Sequence, residues 1–161
     1  MCPSILGFQA PLLRSIADEL QLPPVAEIAR QPGTHEVYRI TVHYFDGRAC
    51  NSVATLRGSA IREVVLEVLY QRALNRKPLT HPIEADRYTA FVQALKSVSF
   101  DHMGDQPELP AYNSTDLWLI ERAAGTFSHS VILVPELAHD HYRRLANAVK
   151  NGLSEALRQV K

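Results

Sequence analysis

The chain has 161 residues, and its 17 Lys and Arg residues balance 17 Asp and Glu residues, so the formal net charge is zero. Hydrophobic residues make up 46% of the chain and charged residues 21%, which is typical of a globular protein and excludes an intrinsically disordered one. The balanced charge also excludes the overall basic surface on which nucleic acids and anionic membranes are bound. We therefore expect no nucleic acid partner and no membrane partner.

Length and cysteine content indicate one domain in a reducing compartment. The chain fits a single domain, residues 1–161, with an N-terminal helical segment, residues 1–33, and an α+β body, residues 34–161. Two cysteines, Cys2 and Cys50, are too few for a disulfide scaffold, and no run of about 18 apolar residues could span a membrane. We expect a soluble, cytoplasmic protein. The alternative that Cys2 is the processed terminus of a lipoprotein stays open.

The N-terminal segment predicts two short helices. Apolar residues recur at helical spacing behind Pro11, and Pro23 ends this helix. These apolar residues are Leu12, Leu13, Ile16 and Leu20. A second helix would run over residues 24–30. A helical hairpin packed on the body explains the pattern better than a DNA-binding helix-turn-helix, because the second helix would offer only Arg30 to DNA.

The first part of the body predicts a hairpin followed by a helix. Residues 37–45 alternate between apolar and mixed positions as a half-buried strand does, and Asp46 with Gly47 favours a two-residue hairpin turn. Residues 48–56 would form the return strand. A helix would follow from Ser59, with an apolar stripe formed by Ile61, Val64, Val65, Val68 and Leu69. The Val-rich stretch also fits a strand, but Glu63, Glu67, Gln71 and Arg72 favour the helix.

The second part of the body repeats this pattern. Residues 78–82 predict a linker. An amphipathic helix would follow, with an apolar stripe formed by Tyr88, Phe91, Val92 and Leu95, and residues 98–100 would form a short strand. A second hairpin would join residues 117–123 to residues 127–134 through a turn near Ala124 and Gly125, and a last helix would begin near Ala138 with a bend or break at Gly152.

The predicted fold class is therefore α+β. It has an antiparallel sheet of four to five strands, built from two hairpin-plus-helix units, with helices packed on at least one face and an N-terminal helical hairpin.

The connection over residues 101–116 is the main candidate binding site. Loops longer than about 12 to 15 residues inside compact domains are usually functional or disordered. There is no Lys or Arg between Lys96 and Arg122, so this loop is acidic and suits a cation or a basic protein surface. Its candidate residues, together with one histidine from the second hairpin, are Asp101, His102, Asp105, Glu108, Tyr112, Asn113, Asp116 and His129.

Metal and cofactor motifs are missing from the sequence. The loop lacks the alternating acidic positions and the final Glu of a calcium-binding EF-hand. His139 and His141 are two residues apart, whereas a metal-binding helix places its ligands four apart. We find no phosphate-binding glycine loop and no nucleophile elbow either. We expect no metal and no cofactor.

One pair of residues suggests thiol chemistry. A two-residue turn at Asp46 and Gly47 would place His43 directly across from Cys50, with Cβ atoms about 5 Å apart. An imidazole beside a thiol favours the nucleophilic thiolate, so His43 and Cys50 are the candidate catalytic residues. A one-residue bulge would move Cys50 to the other face of the hairpin.

The sequence favours a non-catalytic module over an enzyme. Val37, Phe45 and Leu56 would give the sheet a second apolar face, which the N-terminal helices or a second subunit could cover. Our leading hypothesis is a protein-interaction or ligand-binding module, with a protein partner or a homodimer, that uses the acidic loop or this face. The alternative is a small hydrolase or metal-dependent enzyme with its site at the acidic loop, or thiol chemistry at Cys50 and His43.

Overall fold

The structure is a computed structural model that describes residues 7–59, 63–72 and 77–157. The helices are α1 Gln9–Glu19, α2 Val25–Ala29, α3 Ala85–Ser97 and α4 Asp140–Gly152. The strands are β1 Glu36–His43, β2 Ser52–Gly58, β3 Val64–Tyr70, β4 Leu79–Ile83, β5 Leu117–Ala124 and β6 Phe127–Leu133. Short 3₁₀ helices lie at Phe100–His102, Pro135–Leu137 and Ser154–Ala156. Among the helices in the described ranges, none has the length and apolar character needed to cross a bilayer.

The strands form one antiparallel sheet of six strands in the order β4-β3-β2-β1-β5-β6. The central strand β1 pairs with β2 on one side and β5 on the other, so that Arg39 lies between Thr55 and Glu121. Pro82 lies in the edge strand β4, where a missing backbone donor is tolerated. The antiparallel α+β architecture is confirmed, with six strands where the sequence predicted four or five.

Helices α3 and α4 pack against each other and cover one face of the sheet. The side chains of this face alternate along β1, with Tyr38, Ile40 and Val42 pointing inward, and Phe91 of α3 meets Tyr38 edge to face at 5.2 Å between ring centroids. Helix α4 ends at Gly152, where the sequence predicted a bend or break. An added Cβ at Gly152 would lie 3.1 Å from the Phe91 ring, so a small residue allows α3 and α4 to approach closely.

Helices α1 and α2 lie on the opposite face, over β1 and β5. Leu13 of α1 packs against four buried residues. These are Leu117 and Leu119 of β5, Ile132 of β6, and Val134, which follows β6. Ile28 of α2 packs against Val37 and Ala123. The chain's own helices therefore bury Val37, which the sequence offered as part of a possible contact patch.

The first hairpin forms as predicted, but in a different register. Val42 pairs with Ser52, so the connection runs over residues 44–51 instead of a two-residue turn at Asp46 and Gly47. Shifting a pairing by one residue moves every side chain of the strand to the other face. Leu56 accordingly pairs with Tyr38 and belongs to the core under α3 and α4, whereas the sequence placed it on the second face.

The predicted helix after the first hairpin was wrong, because this stretch is strand β3. Val64, Leu66 and Val68 are buried while the residues between them are half-buried, which is the two-residue period of a strand with one face in the core. Glu67 lies on the half-buried face, so it is compatible with either structure. Ile61, which we expected in the helix, lies outside the described residues, as does Cys2.

Two further predictions need correction. The expected linker over residues 78–82 is largely strand β4, which pairs with β3. The expected strand over residues 98–100 is replaced by a turn, in which Ser99 has a φ of 55° and Phe100–His102 form a 3₁₀ helix. The helix α3, the second hairpin of β5 and β6, and the helix α4 are confirmed.

Candidate binding site

The acidic connection runs along the outer edge of β6. The amide N–H of Gln106 donates to the carbonyl of Ile132 at 2.9 Å, and the amide of Ile132 donates to Asp105 Oδ1 at 2.8 Å. The amide of Val134 donates to Gln106 Oε1 at 2.8 Å. The loop thus satisfies the outward-facing backbone groups of Ile132 and the amide of Val134 at the end of an edge strand, and these groups would otherwise be open to pairing with another chain.

The remaining acidic candidates have separate partners. Asp101 Oδ2 accepts a bond from Arg122 at 2.9 Å, and Asp116 forms an ion pair with Arg48. Glu108 and His102 are exposed. The structure therefore does not bring the carboxylates of the connection together at one point.

His129 meets the connection through its backbone. Its Nε2 lies 2.6 Å from the carbonyl oxygen of Met103, and its ring packs edge to face against Phe100. Asp101 and His102 line a small cavity of about 200 Å³ with Arg122, but His129 does not border it. Tyr112 is 82% exposed and projects from the connection. Among the described residues, no group of three or more His, Cys, Asp or Glu side chains is arranged to hold a metal ion.

The candidate catalytic pair is separated by the observed register. Continuing the β1–β2 pairing by one residue puts Asn51, not Cys50, opposite His43. His43 Nε2 lies 3.0 Å from Asn113 Oδ1, and because an amide oxygen only accepts, Nε2 must donate. Asn113 thus serves as the hydrogen-bond partner of His43 from the acidic connection. Cys50 is half-buried in the connection between β1 and β2.

Another cavity lies between the N-terminal helices and the second sheet face. Its volume is about 470 Å³. Strands β1, β5 and β6 supply its floor, and α1, the following turn and α2 supply its walls. The apolar contacts of α1 and those of α2 are two separate clusters, and the row of paired residues Arg39, Glu121 and Ser130 passes between them. The lining therefore combines apolar side chains, such as those of Leu13, Val25 and Leu119, with this polar row and with Arg14 and Asp18 of α1.

Arg39 is the central group of this floor. Arg39 is 2% exposed. Its Nε donates to Thr55 Oγ1 at 3.1 Å, and its Nη1 donates to the carbonyl of Pro23 at 2.8 Å. Its Nη2 is buried and has no hydrogen-bond partner. Burial lowers the pKa of this guanidinium, with the charge of Glu121 acting in the opposite direction. One donor of this buried cation therefore has no acceptor.

Thr41 and Glu121 flank Arg39 in the same cavity. Thr41 lies two residues further along β1 on the same face, is 1% exposed, and its hydroxyl has no partner. Glu121 pairs with Arg39 across the strands, and its one ion pair among the described residues is with Arg14 of α1 at 3.5 Å. Burial raises the pKa of Glu121, against the charges of Arg39 and Arg14. The floor therefore holds a guanidinium N–H without an acceptor, a hydroxyl without a hydrogen-bond partner and a weakly paired carboxylate.

The sequence did not single out these three residues. Arg39 and Thr41 alternate with Tyr38, Ile40 and Val42, which is also what a solvent-facing side of a strand looks like. The one available signal was the pair of predicted N-terminal helices. If helices cover that side, the polar residues on it become buried and need partners.

A second polar cluster lies under α3, and its groups bond to one another. Glu36 accepts bonds from the hydroxyls of Tyr38, at 3.1 Å, and Tyr88. Arg122 approaches the same carboxylate at 3.2 Å and links it to Asp101. Burial and the neighbouring Glu36 both raise the pKa values of the two tyrosines, which keeps them as donors. This cluster ties β1, β5 and α3 together.

The cavity of Arg39, Thr41 and Glu121, which we call the floor cavity, is thus bordered by two residues that each hold a buried donor without a partner. No protein-family model matches the chain, and no curated protein or solved structure was found to be significantly similar to it.

Proposed function

We propose that this chain is a non-catalytic ligand-binding module that takes a small organic molecule into the floor cavity. The observation that carries the proposal is that Arg39 and Thr41, which both border a cavity of about 470 Å³, each hold a buried donor without a partner, Nη2 in Arg39 and Oγ1 in Thr41. Small-molecule sites have volumes of about 300 to 1,000 Å³ and combine apolar walls with a few placed polar groups.

The energetics support a polar ligand. A buried donor without a partner costs about 1 to 3 kcal/mol, and more when the group is charged. A ligand oxygen placed against Arg39 and Thr41 would remove that penalty at both groups. Apolar parts of the ligand would contact Leu13, Val25 and Leu119, which border the same cavity.

The contacts of the other candidate sites favour structural roles for them. Asp105 and Asp116 bond to Ile132 and Arg48, and His43 bonds to Asn113. Through these interactions, Asp105, Asp116 and His43 hold loops to the sheet. Binding of a protein partner or a second subunit through the second sheet face would also need Val37, which α2 buries.

The test is an NMR screen of small polar molecules against the full chain and two matched variants. Ala17 borders the floor cavity on α1, and Ala17→Phe would fill it from a half-buried position. Ala94, which is half-buried on α3 across the sheet, provides the control Ala94→Phe. We expect molecules that bind the wild type to bind Ala94→Phe equally and to lose binding to Ala17→Phe. Retained binding by a folded Ala17→Phe variant would contradict the proposal.

A further inference from the structure

Building on the function proposed above, we propose that the ligand is a small zwitterion with an apolar body, of the α-amino acid class. Its carboxylate would be held by Arg39 and Thr41 and its ammonium would face Glu121.

The carboxylate end follows from the hydrogen bonds of Arg39. Two of its three nitrogens are used, by Thr55 and by the carbonyl of Pro23, and these bonds fix the plane of the guanidinium. The third nitrogen, Nη2, is buried without a partner, and so is the hydroxyl of Thr41 on the same face. An anionic oxygen is the acceptor that binds a guanidinium most strongly, because a charge-assisted bond is about twice as strong as a neutral one.

The ammonium end follows from the position of Glu121. This residue lies opposite Arg39 in the β1–β5 register, with 13% of its side chain exposed. Its partner Arg14 is 56% exposed and lies 3.5 Å away, which is a weak, solvated pair. Burial raises the pKa of Glu121 even against the charges of Arg39 and Arg14. A ligand ammonium would supply the missing positive charge.

The two ends together select a zwitterion. A simple carboxylate bound at Arg39 would place a further negative charge beside Glu121, and a simple amine bound at Glu121 would place a further positive charge beside Arg39 and Arg14. Like charges brought together in a buried site repel by several kcal/mol. A molecule that carries both charges, as the floor does, avoids both penalties.

The body of the ligand is set by the apolar residues that line the cavity. Leu13, Val25 and Leu119 border the cavity together with Leu22 and Ala17. An aliphatic side chain placed against these residues would be removed from water, which contributes about 25 cal/mol for each Å² of buried apolar surface. An amino acid with an aliphatic side chain therefore fits the walls and the floor together.

Calorimetry with three matched probes tests this inference. L-leucine carries both charges, 4-methylpentanoate lacks its ammonium, and 3-methylbutylamine lacks its carboxylate. We expect leucine to bind the full chain at least about tenfold more tightly than either analogue, a difference of about 1.4 kcal/mol. Equal affinity for leucine and 4-methylpentanoate, or no binding of leucine, would overturn the zwitterion.

Variants assign the two ends. Glu121→Gln should weaken leucine about tenfold or more and leave 4-methylpentanoate unchanged or tighter, whereas Thr41→Val should weaken both. An unchanged leucine affinity in Glu121→Gln would remove the ammonium assignment. If either variant fails to fold, the comparison of the three probes on the wild type still decides.

The two proposals fail in different ways. If leucine does not bind but other molecules bind and are blocked by Ala17→Phe, the zwitterion is wrong and the floor cavity remains the binding site. If leucine binds and Ala17→Phe does not weaken it, the location itself is wrong.

Discussion

Arg39 and Glu121 lie directly opposite each other on the central strands β1 and β5, yet the cation within ion-pair distance of Glu121 is Arg14 of α1, at 3.5 Å. Arg39 is buried and Glu121 half-buried, both border one cavity, and opposite charges removed from water without a direct ion pair are costly in a folded protein. This arrangement is the basis of the binding function proposed above, and it has consequences for stability that can be measured without a ligand.

The first prediction concerns the pH dependence of stability at Glu121. Burial raises the pKa of this carboxyl above its ordinary value of 4.5, so the folded state holds the proton more tightly than the unfolded state. The folded chain is therefore stabilised by this group at low pH and loses that contribution as the pH rises above 4.5, through the raised pKa. Glu121→Gln should show a smaller loss of unfolding free energy between pH 4.5 and 7 than the wild type.

Urea unfolding at a series of pH values measures this difference, with Glu27→Gln on the exposed side of α2 as the control. If the unfolding free energies of the wild type and Glu121→Gln change with pH in parallel, burial does not raise the pKa of this carboxyl.

A carboxylate near the C-terminal end of the described chain should behave in the opposite way. Arg87 donates two hydrogen bonds to Glu155, at 2.6 and 2.7 Å, and lowers the pKa of Glu155 to about 2. Glu155→Gln should lower the free energy of unfolding by about 1 kcal/mol at neutral pH, because a partly exposed bidentate ion pair contributes stability on that scale. Since the depressed pKa stabilises the fold above pH 4.5, the difference from wild type should shrink as the pH falls from 4.5 toward 2.

The measurement is the same unfolding series at acid pH, with the exposed Glu136→Gln as the matched variant. A stability difference that stays constant down to pH 2 would contradict the ion-pair explanation.

The acidic connection should protect the edge of β6. Asp105 Oδ1 accepts a bond from the amide of Ile132, a residue that is 5% exposed. Asp105→Ala should speed the hydrogen exchange of this amide and cost about 1 kcal/mol, because the donor loses its acceptor. Asp105→Asn keeps an oxygen acceptor and should retain the protection.

Hydrogen exchange followed by NMR distinguishes these variants, and Glu108→Ala in the same connection controls for loss of a charge. An Ile132 amide that exchanges at the wild-type rate in Asp105→Ala would mean that the connection does not cap the strand.

Gly58 should be required for the contact between β2 and the cluster of Glu36. A Cβ at this position would lie 2.8 Å from Tyr88 Cζ and 3.2 Å from Glu36 Cγ. Gly58→Ala should therefore displace the Tyr88 hydroxyl from Glu36 and cost about 1 to 3 kcal/mol. The loss should be smaller in a Tyr88→Phe background, because the hydroxyl is already absent there.

A double-mutant cycle between Gly58→Ala and Tyr88→Phe measures the coupling. Gly104→Ala, where an added Cβ would meet nothing within 4 Å, is the control. Strict additivity of the two changes would contradict the proposed contact.

The second hairpin was predictable because its determinants are local. Gly125 has a φ of 58°, and Ala124 pairs with Phe127, so the turn lies within one residue of the position near Ala124 and Gly125 that the sequence predicted. The first hairpin was not fully predictable because a distant residue shapes its connection. Asp116 accepts a bond from the amide of Phe45 at 3.3 Å and pairs with Arg48, which holds a longer loop than Asp46 and Gly47 alone predict.

That single difference in register explains several wrong assignments together. It moved Leu56 into the core with Tyr38 and took Cys50 out of line with His43. The prediction for the stretch from Val64 to Tyr70 was wrong for another reason. Its β-branched residues, with a Glu on one side, fit both a helix and a strand. Here pairing with β2 and β4 decided the outcome.

The floor cavity could not be located from the sequence. Its three polar residues belong to β1 and β5, which are far apart along the chain, and their burial depends on how α1 and α2 lie over the sheet. Local patterns predict that these elements exist. They do not predict that the row of Arg39 and Glu121 lies between the two sets of apolar helix contacts and borders a cavity there.

The most direct test is an NMR experiment on the full chain with labelled leucine and valine methyl groups, in the presence of each small molecule that binds in the screen. The floor cavity predicts intermolecular nuclear Overhauser effects to the methyl groups of Leu13, Val25 and Leu119, which border it. Effects confined to Val92 and Leu95, which border the small cavity on the other side of the sheet, would contradict the account.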